Sequence, residues 1–469
     1  MGFANFKGDY LAYGPLMNQL WNRHWPPTAE LWIRPLSQPL NLDPTTDCDS
    51  RSRTCVISLS GSRARPTSPC AVKGSTHTPT DGLFGDVQRG RRVRGSAPSW
   101  LPFGIHHRRH DVKLNLQETD YGSFLQNEPV PLTTDSIRDK ALEKLVVEFE
   151  YLRAQSVGPL GKFLDFIVRD YQIDNVMLIL KATLNNPNVD IETIVAQRHP
   201  LGDFSPATLK AICSFQNNSK GYADLYQTVL IDTPIGPYFS TFLQEISQEQ
   251  VSNNQQAGGL GAADVRNVLE EMPTTKLENL IRKYYLEDFY NFCQHEIGGD
   301  TGFLMCELLR SRADAIAISI TLNSFGSSLN DDSGLADRAL LYPSIGHLYP
   351  SGTKLLSEVR TEEGLAEALR GFKDYAGILS RFNQGEGTVD DLFYQREVML
   401  CELAFEGQFN YAPFYCFVRL KEQEIRNLTW ACETICQKQK QRMNQHYIPI
   451  FSRTSPWRAD GRKAGAGRG

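Results

Sequence analysis

From Asp111 onward, apolar residues return at helical spacing. Ile137, Ala141, Leu142, Leu145, Val146, Phe149 and Leu152 form one stripe of a helix that Thr134 or Asp135 can cap. Beyond the Gly158–Pro159 break, GKFLDFIVRDYQIDNVMLILKATL (161–184) reads as a second, more apolar helix. Leu277–His295, closed by Gly298–Gly299, predicts a third. Thr301 to about Asn323 gives a fourth, Val389–Phe409 a fifth, and Phe414 to about Met443 a sixth. Loops such as NQQAGGLGA (254–262) and NQGEG (383–387) separate them, and strand alternation is scarce. The pattern predicts an all-α fold.

The helices fall into pairs. Each pair is a charged amphipathic helix, a Gly or Pro break, then a more apolar helix with acidic or amide groups late in it. The apolar members open with Phe163, Phe303 and Phe414. Asp174 and Asp314 follow the first two by 11 residues, about three turns, and so share a face with them. Glu424 and Asn427 fall near the same level in the third helix. Spacing alone fits one helical hairpin used three times as well as it fits coincidence among helices.

The stretch FYCFVRLKEQEIRNLTWACE (414–433) tests whether charge in these helices means chemistry. Phe414, Phe417, Val418, Ile425, Leu428 and Cys432 make one apolar face, with Arg419, Glu422, Gln423, Arg426 and Glu433 largely opposite. Glu422 and Arg426 are spaced for an i,i+4 pair. Glu422 and Glu424 are about 200° apart around the axis and cannot converge as an acid–base dyad. No phosphate-binding loop, H-E-x-x-H or G-x-S-x-G occurs, and His199 lies in a Pro/Gly turn, RHPLGDF. Nothing here points to catalysis, a cofactor or a metal.

Charge is segregated along the chain. Residues 1–110 carry 14 Lys and Arg against 7 Asp and Glu, residues 452–469 carry 5 against 1, and residues 111–451 carry 30 against 46. An acidic body with basic ends is not the footprint of a nucleic-acid-binding fold. Residues 1–110 are rich in Ser, Thr, Pro, Gly and Arg, so they read as a low-complexity basic region, disordered or mis-joined. Within them, RGRRVR (89–94) and HHRRH (106–110) read as solvated basic linker. Residues 452–469 read as a basic disordered tail. No apolar run is long enough to span a bilayer, and the N-terminus lacks a signal-peptide core. Cys213, Cys293, Cys306, Cys401, Cys416, Cys432 and Cys436 lack metal spacing and read as small buried hydrophobes, and Cys48, Cys55 and Cys70 are spaced wrongly for zinc.

Seven motifs then occur in order: DVKLNLQETDYGSFL (111–125), HPLGDF (199–204), IDTPIGPYF (231–239), TLNSFGSSL (321–329), GHLYPSG (346–352), FVRLKEQEIRNLTW (417–430) and YIPIF (447–451). Together they resemble subunit d of the eukaryotic vacuolar-type proton ATPases, over 111–451. The resemblance implies a funnel-shaped, all-helical protein of three similar segments, a non-catalytic part of the V0 sector. It implies a place on the cytosolic face of vacuolar or endomembrane membranes, held peripherally through protein partners. Those partners are the proteolipid c-ring, the central stalk subunits D and F, and other subunits of the pump, with no nucleic acid. The implied role is coupling stalk rotation to the ring and so to proton transport. Asp174, Asn175, Asp314, Glu424 and Asn427 are then expected as partner contacts on the funnel wall; internal hydrogen bonding is the other reading.

The chain departs from the family pattern in places. Family members begin with a further helical stretch upstream of the Asp111 motif, and its loss should leave apolar surface uncovered. RSRADAIA (310–317) stands where the family is nearer E-F-E-A-D-R-R-A, which keeps Asp314 but reverses charge at Arg310 and Arg312. A free-standing helical adaptor whose basic termini bind RNA or anionic lipid is the alternative, and a hydrolase with an unrecognised site is a third.

Overall fold

The computed structural model describes residues 109–117, 119–185, 191–214, 232–253, 274–405, 407 and 409–451. The expectations placed on residues 1–108 and 452–469 lie outside the described residues, as does the side chain of Cys213. Among the described residues there is no strand. The helices are α1 (Arg109–Gln117), α2 (Gly122–Leu125), α3 (Thr134–Gln155), α4 (Pro159–Asn185), α5 (Ile191–Ala196), α6 (Pro206–Ser214), α7 (Gly236–Asn253) and α8 (Thr274–Asn291). They continue with α9 (Gly299–Ser324), α10 (Gly334–Leu340), α11 (Ser351–Glu358), α12 (Glu362–Ala368), α13 (Lys373–Asn383), α14 (Val389–Phe405) and α15 (Ala412–Cys436). None is long and apolar enough to cross a membrane.

Local chemistry sets the helix ends. The cap of α3 is Thr133, one residue before the expected Thr134. Its side chain accepts from the Ser136 N–H at 3.1 Å, and Ser136 Oγ accepts from the Thr133 N–H at 3.2 Å. The stripe expected on α3 is the buried one: Ile137, Ala141, Leu145, Phe149 and Leu152 are buried, with Leu142 and Val146 packed at its edge. The expected third helix leaves α geometry at Phe292 for one π-helical stretch, Phe292–Ile297, and stops at Gly298, whose φ of 63° suits only glycine cheaply. The fifth ends at Phe405 rather than Phe409. The sixth ends at Cys436 rather than Met443, because Lys438 at φ 59° takes the left-handed position that closes a helix.

Three of these helices, α4, α9 and α15, run parallel and in register. At one end the Phe163 and Tyr411 rings lie 6.1 Å apart, and Thr301 Oγ1 accepts from the Tyr411 N–H at 2.9 Å. Half-way along, Arg312 reaches Asp170, and Tyr171 reaches Glu422. The more charged helices run antiparallel to them: α8 against α4 and α9, α14 against α9 and α15, and α3 against α15. The first sequence pair is therefore split, with α3 packed along α15 and α4 along α8. Phe163 and Phe414 are buried, but Phe303, expected to match them, is exposed, and Thr301 faces inward instead. Cys293, Cys306, Cys401, Cys416 and Cys432 are buried as expected, while Cys436 is half-buried. Leu114, Val147 and Tyr151 stand exposed on α1 and α3.

Candidate functional site

Between α8, α9, α14 and the first half of α15 lies a cavity of about 970 Å³. One face of α9 lines it from Leu308 to the end of the helix, through Leu308, Ser311, Arg312, Ala315, Ile316, Ser319, Ile320 and Asn323. The periodicity follows from helix geometry, since these positions recur three or four residues apart. Ser311, Ala315 and Ser319 are small, so the face is a shallow groove. Phe393, Tyr394 and Leu400 of α14 supply an apolar wall, and Lys276 and Glu278 of α8 a polar one.

The deep side of the cavity is a network of arginines and carboxylates joining five helices. Arg312 Nη2 bonds Asp170 Oδ2 at 2.5 Å, and Arg282 Nη1 lies 3.7 Å from Asp170 Oδ1. Arg282 also pairs with Asp174, and with Glu278 at 3.0 Å; Glu278 in turn meets Lys181. Arg419 grips Glu397 through two bonds of 2.7 and 3.2 Å, and meets Glu422 at 2.7 Å. Glu422 accepts from the Tyr171 hydroxyl at 2.7 Å. Burial pushes the Asp170 carboxyl up, but Arg312, Arg282 and Arg419 outweigh it and hold the group below its usual range. The same balance keeps Glu397 low, with Arg419 opposing its burial. These groups stay charged at neutral pH, so they act as fixed ties between helices rather than as proton carriers.

The network corrects two expectations for α15. The face carrying Arg419, Glu422 and Gln423 is turned inward. Glu422 pairs with Arg419 and Tyr171 rather than with Arg426, whose guanidinium lies 3.7 Å from the Tyr394 ring centre. The reason is tertiary: α14 and α4 pack on that face and bring their own partners to it.

The five expected contact residues do not meet in one place. Asp174 lies at the rim of the network, on Arg282. Glu424 pairs with the buried Lys421 at 2.7 Å. Asn175, Asp314 and Asn427 share a geometry the sequence only hinted at. Each lies about four turns into one of the parallel helices and holds the backbone of a later loop. Asn175 Nδ2 donates to the His199 carbonyl at 2.9 Å, and its Oδ1 accepts from the His199 N–H at 2.7 Å. Asp314 accepts from the N–H groups of His347 and Leu348 at 2.9 and 3.0 Å, and from the Tyr375 hydroxyl at 2.5 Å. Asn427 donates to the Ile448 carbonyl at 2.6 Å and accepts from its N–H at 3.1 Å. The loops held are HPLGDF, GHLYPSG and YIPIF, three of the seven motifs that occur in order along the chain. Two approach so closely that only glycine fits: a Cβ on Gly202 would overlap the Tyr171 carbonyl, and one on Gly346 would overlap the Asp314 carboxylate. The network residues Asp170, Arg282 and Glu397 were not singled out from sequence. Their only signal was charge persisting inside otherwise apolar or amphipathic stripes.

The profile of the ATP synthase (C/AC39) subunit family matches residues 110–446. A V-type proton ATPase subunit d of Dictyostelium discoideum is 41% identical over 343 residues, covering 73% of this chain and 86% of the relative. The V-type proton ATPase subunit d of Saccharomyces cerevisiae is 37% identical over 342 residues, 73% of this chain and 88% of the relative. The V-type proton ATPase subunit d2 of Arabidopsis thaliana is 37% identical over the same length and shares.

Proposed function

The chain belongs to the ATP synthase (C/AC39) subunit family, with V-type proton ATPase d subunits among its relatives, and from that premise we propose that it is a non-catalytic subunit of the V0 sector. In this reading it sits peripherally on the cytosolic face of an endomembrane and couples the central stalk, subunits D and F, to the proteolipid ring. Torque transfer needs a stiff body and a socket, and no bond-breaking. The observation that carries the reading is the cavity backed by the Arg282–Asp170–Arg312 and Glu397–Arg419–Glu422 ties, which join α4, α8, α9, α14 and α15 into one unit. The groove along α9 receives the stalk, and Asp174 is tied to it only through Arg282, which lines the cavity. Asn175, Asp314 and Asn427 contribute by holding the loops that surround the parallel helices.

Filling the groove tests this. Ser319 lines the cavity and is half-buried, so Ser319→Trp adds bulk without opening the core. In cells lacking their own subunit d, the variant should still co-purify with the proteolipid ring, while stalk binding weakens by at least about tenfold and ATP-driven acidification falls with it. Undiminished pumping by a folded Ser319→Trp chain would remove the cavity from the mechanism.

A further inference from the structure

Cys401 and Cys416 are both free and both completely buried. They lie on the antiparallel neighbours α14 and α15, whose register is fixed by the two bonds from Arg419 to Glu397. Cys401 stands about one turn after Glu397, and Cys416 about one turn before Arg419. In an antiparallel pair those two steps run the same way, so the cysteines meet one turn along from the ion pair. Their thiols are hydrogen-bonded to each other.

The pair lies close behind the cavity wall. Leu400 and Tyr415, the chain neighbours of the two cysteines, both line the cavity. Burial raises the Cys401 thiol well above its usual range and the Cys416 thiol adds to the shift, so little thiolate is present. Glutathione is too large to enter a site with no exposed surface, whereas hydrogen peroxide is close to water in size. The thiols are shielded from exchange with the bulk thiol pool but remain open to a small neutral oxidant.

We propose that Cys401 and Cys416 are a redox-responsive pair, which hydrogen peroxide converts to a disulfide that locks α14 to α15. One sulfur attacks the peroxide O–O bond and takes an oxygen, becoming a sulfenic acid while a water leaves. The second thiol attacks that sulfur, the S–S bond forms, and a second water leaves. The two thiols lose two hydrogens and two electrons, and one hydrogen peroxide becomes two waters. Sulfurs already in contact need only small side-chain rotations to reach bonding distance. Scarce thiolate makes the step slow, so the pair answers sustained oxidant rather than a brief pulse. The bond adds a covalent tie beside Arg419 and Glu397, and its chemistry does not depend on the rotary reading.

Trypsin provides the test, because residues 397–419 contain both cysteines and no Lys or Arg before Arg419. The folded full chain is held in millimolar hydrogen peroxide, denatured in iodoacetamide and digested. The 397–419 peptide should appear without alkyl groups and two hydrogens lighter than its reduced form. Dithiothreitol added before alkylation should restore the reduced peptide. Amide exchange along 398–405 and 412–418 should slow in the oxidised chain. Cys401→Ala should abolish the lighter peptide; if that variant does not fold, fragmentation of the unaltered peptide places the link. Oxygen added at either cysteine without a link, or both thiols alkylated after prolonged peroxide, would overturn the proposal. So would a link that forms only in chain unfolded with guanidinium before oxidation.

Discussion

His199 shows how one side chain here carries several loads. It caps the turn Pro200–Gly202 by accepting the Leu201 N–H on Nδ1 at 3.3 Å, stacks on Tyr171 at 4.3 Å, and has its backbone held by Asn175. Burial lowers its pKa, with Glu422, Asp170 and Asp203 pulling the other way and Arg419 reinforcing burial. The sign follows: an unfolded histidine titrates near 6.5, so the unfolded chain takes up the proton first. The stability carried by neutral His199 is complete above about pH 6.5 and is lost as pH falls through the lower folded value. Unfolding free energy measured between pH 7 and 5.5 should decline for the native chain, and decline less for His199→Asn, which keeps a cap acceptor that does not titrate. An unchanged slope would place the pH dependence elsewhere.

At the scale of elements, the loops are held by single amides or carboxylates rather than by apolar packing alone. Asn427 both donates to and accepts from Ile448, so Asn427→Leu leaves two buried backbone groups unmet and should cost about 1–3 kcal/mol for each. Hydrogen exchange should speed up at Ile448 and Ile450, with α14 little changed; protection lost evenly across the chain would contradict a local clamp. This clamp was half legible. Polar groups late in apolar helices were visible, and so were the motifs HPLGDF, GHLYPSG and YIPIF. That one holds the other was not, because the partners lie 24, 33 and 21 residues apart and no spacing rule reaches that far. Helix limits were legible to within a few residues, and failed at Phe409, where the helix stops at Phe405, and at Met443, where positive-φ Lys438 ends what the apolar pattern would continue.

Across the whole described molecule, the buried ion pairs make separate helices act together. Arg312 and Asp170 lie 142 residues apart and are each largely withdrawn from water. Arg312→Met should destabilise by about 3–5 kcal/mol, because Asp170 keeps a buried charge short of its main partner. Adding Asp170→Leu should recover most of that loss. Chemical denaturation of the two single variants and the double one measures the coupling, and simple additivity would show that the pair is not a tie.

The sequence by itself determined the all-α class, the positions of six of the long helices though not of α7, the burial of most of the described cysteines, and the family. Each follows from local periodicity or from motifs short enough to read in one stretch. Tertiary structure alone decided that the charged face of α15 turns inward, that α3 leaves its neighbour α4 for α15, and that Arg312 sits in an internal ion pair. Whether a charge faces water or another charge depends on which distant helix packs against it, and that is fixed only when the whole apolar surface is buried at once.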